Sequence, residues 1–303
     1  MQMTRARHGQ ALRTSGFTLI EIAISLTVIA FLMIGGISML RIQNERARFA
    51  ETKAAMDEAT QALLGFAASH GYLPCPASPT ESDDTKFGTA LPGCGSGANR
   101  GIVPSRDLSI SGVDGWGQYL SYEVTYALTL PPITAGITNF ALDTGGTLKL
   151  RTSSASGNPV VTDTATAFAL WSHGPNGHYG ISFQRVPQPA SDQPGVIAAN
   201  PDETANTPTP APSIPPAARI LVSHDEVSSP SNPEKNFDDR FVWMSRFILF
   251  RTISSAGYCI PHSGSTDTCN NSTSSSSSSS SSGSSSGAGS SSSGGSSTSS
   301  SGG

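Results

Sequence analysis

The sequence predicts an α+β fold shaped like a lollipop, with one long N-terminal helix packed through its second half on an antiparallel β-sheet. Three observations predict it. From Phe17 to Leu40 the chain is apolar except for Glu21 and a few small or hydroxyl residues. From Arg41 to His70 an apolar stripe at helical spacing continues without a proline. Farther on, short runs of alternating apolar and polar residues are separated by turn residues instead of helical patterns, which favours antiparallel pairing.

The helix is the clearest element. At 1.5 Å per residue, residues 17–40 reach roughly 36 Å, enough for a hydrocarbon core and too long for an ordinary secretory signal. The preceding residues 1–16 carry Arg5, Arg7 and Arg13 with no acid, a basic leader that the positive-inside rule keeps cytoplasmic. The expectation is therefore a single-pass membrane protein with everything after Leu40 outside the cytoplasm. Ile42, Phe49, Met56 and Leu63 recur every seven residues, with Ala59 and Phe66 on the same flank, so residues 41–71 continue the helix as an amphipathic rod ending at Gly71. Glu21 stands out, because a carboxylate within such a segment costs on the order of 2.5–3.5 kcal/mol on insertion scales.

Residues 72–262 form the expected globular head. Asp114-Gly115-Trp116-Gly117 opens the strongest strand, in which Leu120, Tyr122, Val124, Tyr126 and Leu128 alternate with Ser121, Glu123 and Thr125. Thr147–Arg151, Ala165–Trp171, Gly180–Val186, Arg219–Ser223 and Arg240–Met244 are further strand candidates, and Ser245 is placed to cap a helix of about ten residues. Gln188–Pro216, rich in Pro, Ala, Thr and Asn, reads as an exposed loop within the domain. Residues 263–303 are mostly Ser and Gly and predict a disordered tail.

Four cysteines fall in two close pairs, and an even count behind an export signal predicts disulfides Cys75–Cys94 and Cys259–Cys269, with reduced buried thiols as the alternative. With 13% charged residues, a net charge of -4 and no Lys/Arg run, the chain offers no basic surface, and no nucleic-acid partner is expected. His173 and His178 flank the turn sequence Gly174-Pro175-Asn176-Gly177 and read as turn residues, not metal ligands. No GxSxG, HExxH or P-loop occurs, so no enzymatic activity is expected.

Ser15-Gly16-Phe17-Thr18-Leu19-Ile20-Glu21, behind a basic leader and ahead of an apolar run, resembles the cleavage and methylation motif of type IV prepilins and type II secretion pseudopilins. The LPCP sequence at Leu73–Pro76 resembles a group of minor pilin-like proteins, and the DGWG turn resembles the DPWG turn of major pseudopilins. The resemblance implies that prepilin peptidase cuts after Gly16 and methylates the new terminus at Phe17. It further implies that Glu21 pairs with the Phe17 amine of a neighbouring subunit in a filament. The resemblance places the chain in the bacterial inner membrane with its head in the periplasm. The implied partners are prepilin peptidase, other pilin or pseudopilin subunits, an inner-membrane assembly platform and membrane lipid. A pilus-borne adhesin and a membrane-anchored periplasmic protein that never polymerises are the alternatives. Some pseudopilins bind calcium through loop carboxylates, which leaves Asp225-Glu226 and Asp238-Asp239 as the alternative to no cofactor, but they lack EF-hand order and read as solvated loop acids.

Overall fold

The computed structural model describes residues 16, 18–95, 97–155, 157–189, 200–209, 219–227, 236–263 and 269, without the side chains of 33–40. Residues 1–15 of the leader, Phe17, most of the Pro-rich loop and the Ser/Gly tail beyond Cys269 lie outside the described residues.

Helix α1 runs from Leu19 to His70, 52 residues. Thr18 caps it by accepting the Glu21 amide on its hydroxyl, and Gly71 ends it in the left-handed conformation, its N–H returning to the Ala67 carbonyl. Thr52, Met56, Ala59, Leu63 and Ala67 form its buried face, a spacing of three and four residues that places them on one side. Ile42 is exposed, so the packed stripe starts nearer the head than the sevenfold repeat suggests.

Four antiparallel strands form the main sheet among the described residues, in the order β1 (Arg100–Ile102), β2 (Ser121–Val124), β4 (Thr166–Ser172) and β6 (Arg240–Ser245). The α1-facing side carries Tyr122, Val124, Phe168 and Leu170, packed against Met56, Ala59 and Leu63. Helix α4 (Arg246–Ser255), capped by Ser245, completes this layer with Leu249, Phe250 and Ile253. On the other face, Ala169 and Trp171 meet Leu148, Leu150 and Leu221. Because both faces are covered, β4 reads as the unbroken run TAFALWS and every residue of it is buried. Its neighbour β2 is buried on both faces as well, against the half-buried strand the alternation predicts. After Val124 the chain turns into a 3₁₀ turn at Tyr126–Thr129 instead of continuing extended.

The second face is built from less regular chain. A short parallel pair joins β3 (Leu150–Arg151) to β5 (Leu221–Val222), and α3 (Pro201–Ala205) lies beside it. Residues 180–186 form turns with two isolated bridges, Ile181 to Pro187 and Ser182 to Gln118, not the strand expected there. The cysteines pair as Cys75–Cys94 and Cys259–Cys269, with Cα separations of 5.5 and 5.6 Å.

The DGWG turn ties sheet to helix. The Gly115 N–H donates to Thr52 Oγ1 at 3.1 Å, and its α-carbon lies so close to the Arg48 carbonyl that a β-carbon would collide with it. Trp116 meets Phe49 edge-on at 5.3 Å, with the Arg48 guanidinium over the indole. Asp114 organises the turn by accepting the Trp116 and Gln118 amides, while its second oxygen accepts the Ser172 hydroxyl at the end of β4.

Two expectations are corrected here. Among the described residues no helix is long and apolar enough to cross a membrane. The apolar side chains described on the first half of α1 run from Leu19 to Leu32. That is roughly 20 Å of helix against a core of about 30 Å. The transmembrane assignment of 17–40 is withdrawn, and with it the single-pass inner-membrane placement and the periplasmic position of the head. The expected fold, a membrane-spanning helix on one antiparallel sheet, gives way to an α+β fold without a span, whose second face includes a parallel pair.

A buried ion pair locks the two faces together. Arg100 on β1 and Glu123 opposite it on β2 approach to 2.7 Å, with side chains 2% and 6% exposed. The same guanidinium donates to the carbonyls of Ala205 at 2.7 Å and Ile220 at 3.2 Å, so it also holds the chain around α3 and β5. Replacing Arg100 with Leu strands a buried carboxylate and is expected to cost about 3–5 kcal/mol in urea unfolding. Arg100→Leu combined with Glu123→Leu is expected to lose less than that single variant.

Candidate functional site

The N-terminal half of α1 is bare. Leu19 is 87% exposed, Phe31 77% and Leu32 70%, and Ile20, Ile22, Ile24, Leu26, Val28 and Ile29 are exposed around the whole circumference. A helix apolar on every side is built to be surrounded, and a patch this large marks an interaction surface. Its polar groups are almost all satisfied from within. Thr18 caps the helix, Ser25 donates to the Glu21 carbonyl at 2.7 Å, and Thr27 donates to the carbonyls of Ala23 and Ile24.

Glu21 is the exception. Its amide is capped, but its carboxylate is exposed and has no ion-pair partner among the described residues. Gly16 is exposed two residues before the helix, with open space around it. Gly16 and Glu21 therefore sit at one end of the molecule, beyond the head, while Phe17 between them lies outside the described residues.

A second polar cluster lies inside the head, where the sequence suggested solvated loop residues. His173 follows directly on β4 and is fully buried. One imidazole nitrogen hydrogen-bonds Ser121 Oγ at 2.8 Å, and the other faces Asp239 at 3.6 Å. Serine, histidine and aspartate thus stand in the order a hydrolase uses. However, Ser121 and His173 have no exposed surface for a substrate to reach, and 3.6 Å is too long for the orienting hydrogen bond. Burial holds the imidazole neutral, its pKa pushed down to about 3.

Asp238 and Asp239 are also buried, contrary to the expectation of solvated loop acids, whereas Asp225 and Glu226 are exposed. Burial raises the Asp238 carboxyl to about 7 and lifts Asp239 well above the usual carboxylate range. Nearby Glu203 is buried and accepts from Asn176 Nδ2 at 2.8 Å, and it meets His178 Nδ1 at 3.2 Å. Among the described residues, no group of three or more His, Cys, Asp or Glu side chains is arranged to hold a metal ion. Glu203 carried no signal in the sequence and His173 read only as a turn residue, because their burial arises from chain segments far apart meeting at the end of the sheet.

No family model, curated protein or solved structure matches this chain.

The neutral imidazole has a pH signature. Between about pH 3 and 6.5 the unfolded chain binds a proton at residue 173 that the folded chain does not, so this residue makes stability fall as pH falls. The difference in unfolding free energy between the parent and His173→Gln is expected to change by about 1.4 kcal/mol per pH unit across that window. Chemical denaturation at a series of pH values measures it, and parallel pH profiles would show an imidazole that titrates normally.

Proposed function

We propose that this chain is a structural subunit of a type IV pilus-like or type II secretion-like filament, cut by prepilin peptidase between Gly16 and Phe17 and assembled through α1. The observation that carries this reading is the bare apolar half of α1 with the unpaired Glu21 carboxylate at its start. In the proposed filament, the same segments of neighbouring copies surround it. Cleavage creates an amine at Phe17, which has a pKa near 8 and is protonated at neutral pH. The Glu21 carboxylate of one copy neutralises the Phe17 amine of the next, fixing axial register, while Leu19, Ile22, Leu26 and their neighbours supply the packing.

The internal bonding of Ser25 and Thr27 supports this reading, since neither of these hydroxyls needs water when the segment is enclosed. The head stays outside the core, because the DGWG turn grips α1 at Arg48 and Thr52 and leaves the helix before it clear. At 303 residues the chain is long for a major subunit, and a minor, low-copy place in the filament fits it better.

Cells producing Glu21→Gln are expected to process the chain normally, with mature protein beginning at a methylated Phe17 by mass spectrometry. Its incorporation into sheared filaments is expected to fall at least about tenfold, since an unpaired amine in an apolar core costs several kcal/mol. Undiminished incorporation, or mature protein still starting at Met1, contradicts the proposal.

A further inference from the structure

The described residues hold a second device, distinct from the helix. Two carboxyl groups from distant parts of the chain, Glu203 on α3 and Asp238 just before β6, are brought together in the buried cluster. One residue bridges them. The Asn176 backbone N–H donates to Asp238 Oδ2 at 2.9 Å, and its side-chain amide donates to Glu203 Oε1 at 2.8 Å. Asp238 Oδ1 and Asp239 Oδ1 are buried without a hydrogen-bond partner.

Most charges around the pair are the wrong ones for two bare carboxylates, the exception being the His178 imidazole 3.2 Å from Glu203. Asp239 adds a third acid, and His173 behind it is uncharged. His178 faces the pair from the turn at 174–178. His224 meets Asp202 at 3.4 Å, on the outer side of α3. Arg240 points to Glu226 and to the Phe49 ring, and Arg100 is spent on Glu123. A guanidinium is therefore not directed at the pair from any of these elements. Two carboxyls this close in a dry site stay together by sharing a proton, since ionising both leaves like charges unscreened.

We infer that Glu203 and Asp238 form a proton-dependent latch that fastens α3 and the 174–178 turn to the end of the sheet and loosens them as the pair ionises. What the latch holds is specific. Asn200 caps α3 and also donates to the Asn236 carbonyl, while Tyr179 bonds Thr204 through their hydroxyls. Asn206, bonded to Val222 and Asp239, stays as the hinge. The raised Asp238 carboxyl agrees with a shared proton. A carboxyl that is protonated when closed up to about pH 7, and ionised when open above about pH 4, makes opening rise with pH between those limits and level off beyond. His173, held in the sheet by Ser121, is not uncovered when α3 lifts, so it does not reverse that slope.

Hydrogen exchange on the full chain, corrected for intrinsic rates, tests this directly. Protection of amides 176–179 and 202–205 is expected to fall about tenfold per pH unit from pH 4.5 to 7 and then flatten. Amides 168–172 of β4 are expected not to follow that profile. In Asp238→Asn and in Glu203→Gln the fall is expected to disappear. If the two segments track β4 in the parent chain, or keep their pH dependence in a folded variant, the latch is overturned. Should neither variant fold, the parent series alone decides.

Discussion

The molecule depends on one packing contact, the face of α1 from Thr52 to Ala67 against the inner side of the sheet. Met56, Ala59 and Leu63 meet Tyr122, Phe168 and Leu170, and α4 closes the remaining side with Leu249 and Ile253. Small residues at Ala59 and Ala67 let helix and strands approach closely, while Leu63 and Phe168 fill the space between. Everything else takes its position from this layer. The DGWG turn clasps the helix at its edge, the far face of the sheet is covered by β3, β5 and α3, and Arg100 ties that cover to the strands.

The same contact explains the contrast between the two halves of α1. Where the sheet ends, the helix loses its partner and is largely polar over residues 41–48, yet farther on, from Leu32 back to Leu19, its exposed side chains are mostly apolar. A solvated helix would be expected to turn polar there. Hydroxyls that bond their own backbone suit a surface meant to be enclosed, and Glu21 has no ion-pair partner among the described residues. The proposed assembly supplies both the enclosure and the charge from a second copy of the same segment.

Legibility in the sequence divided along physical lines. Local signals worked where they act locally: Ser245 caps α4, the cysteines pair as neighbours, and Val-, Leu- and Phe-rich runs became β2, β4 and β6. Burial was misjudged where it depends on tertiary cover. Alternation at β2 suggested one wet face, but Ser121 and Glu123 are enclosed because His173 and Arg100 arrive from elsewhere to satisfy them. The turn histidines and the Asp238-Asp239 pair looked like surface chemistry for the same reason. Length misled at the first half of α1, where apolar composition over 17–40 suggested a span that is not found among the described residues. Of the residues singled out for function, Gly16 and Glu21 lie together at one end of the chain, while the buried acid cluster left no local trace.

The most direct measurement is cross-linking through a single introduced thiol, feasible because the native cysteines are paired. Leu26→Cys places that thiol on the bare half of α1, and Asp57→Cys places it on the exposed side of the packed half. Burial of α1 among copies predicts that assembled Leu26→Cys protein links to itself and resists a water-soluble thiol reagent, while Asp57→Cys protein reacts freely. Equal reactivity at the two positions, with no linkage through residue 26, would contradict it.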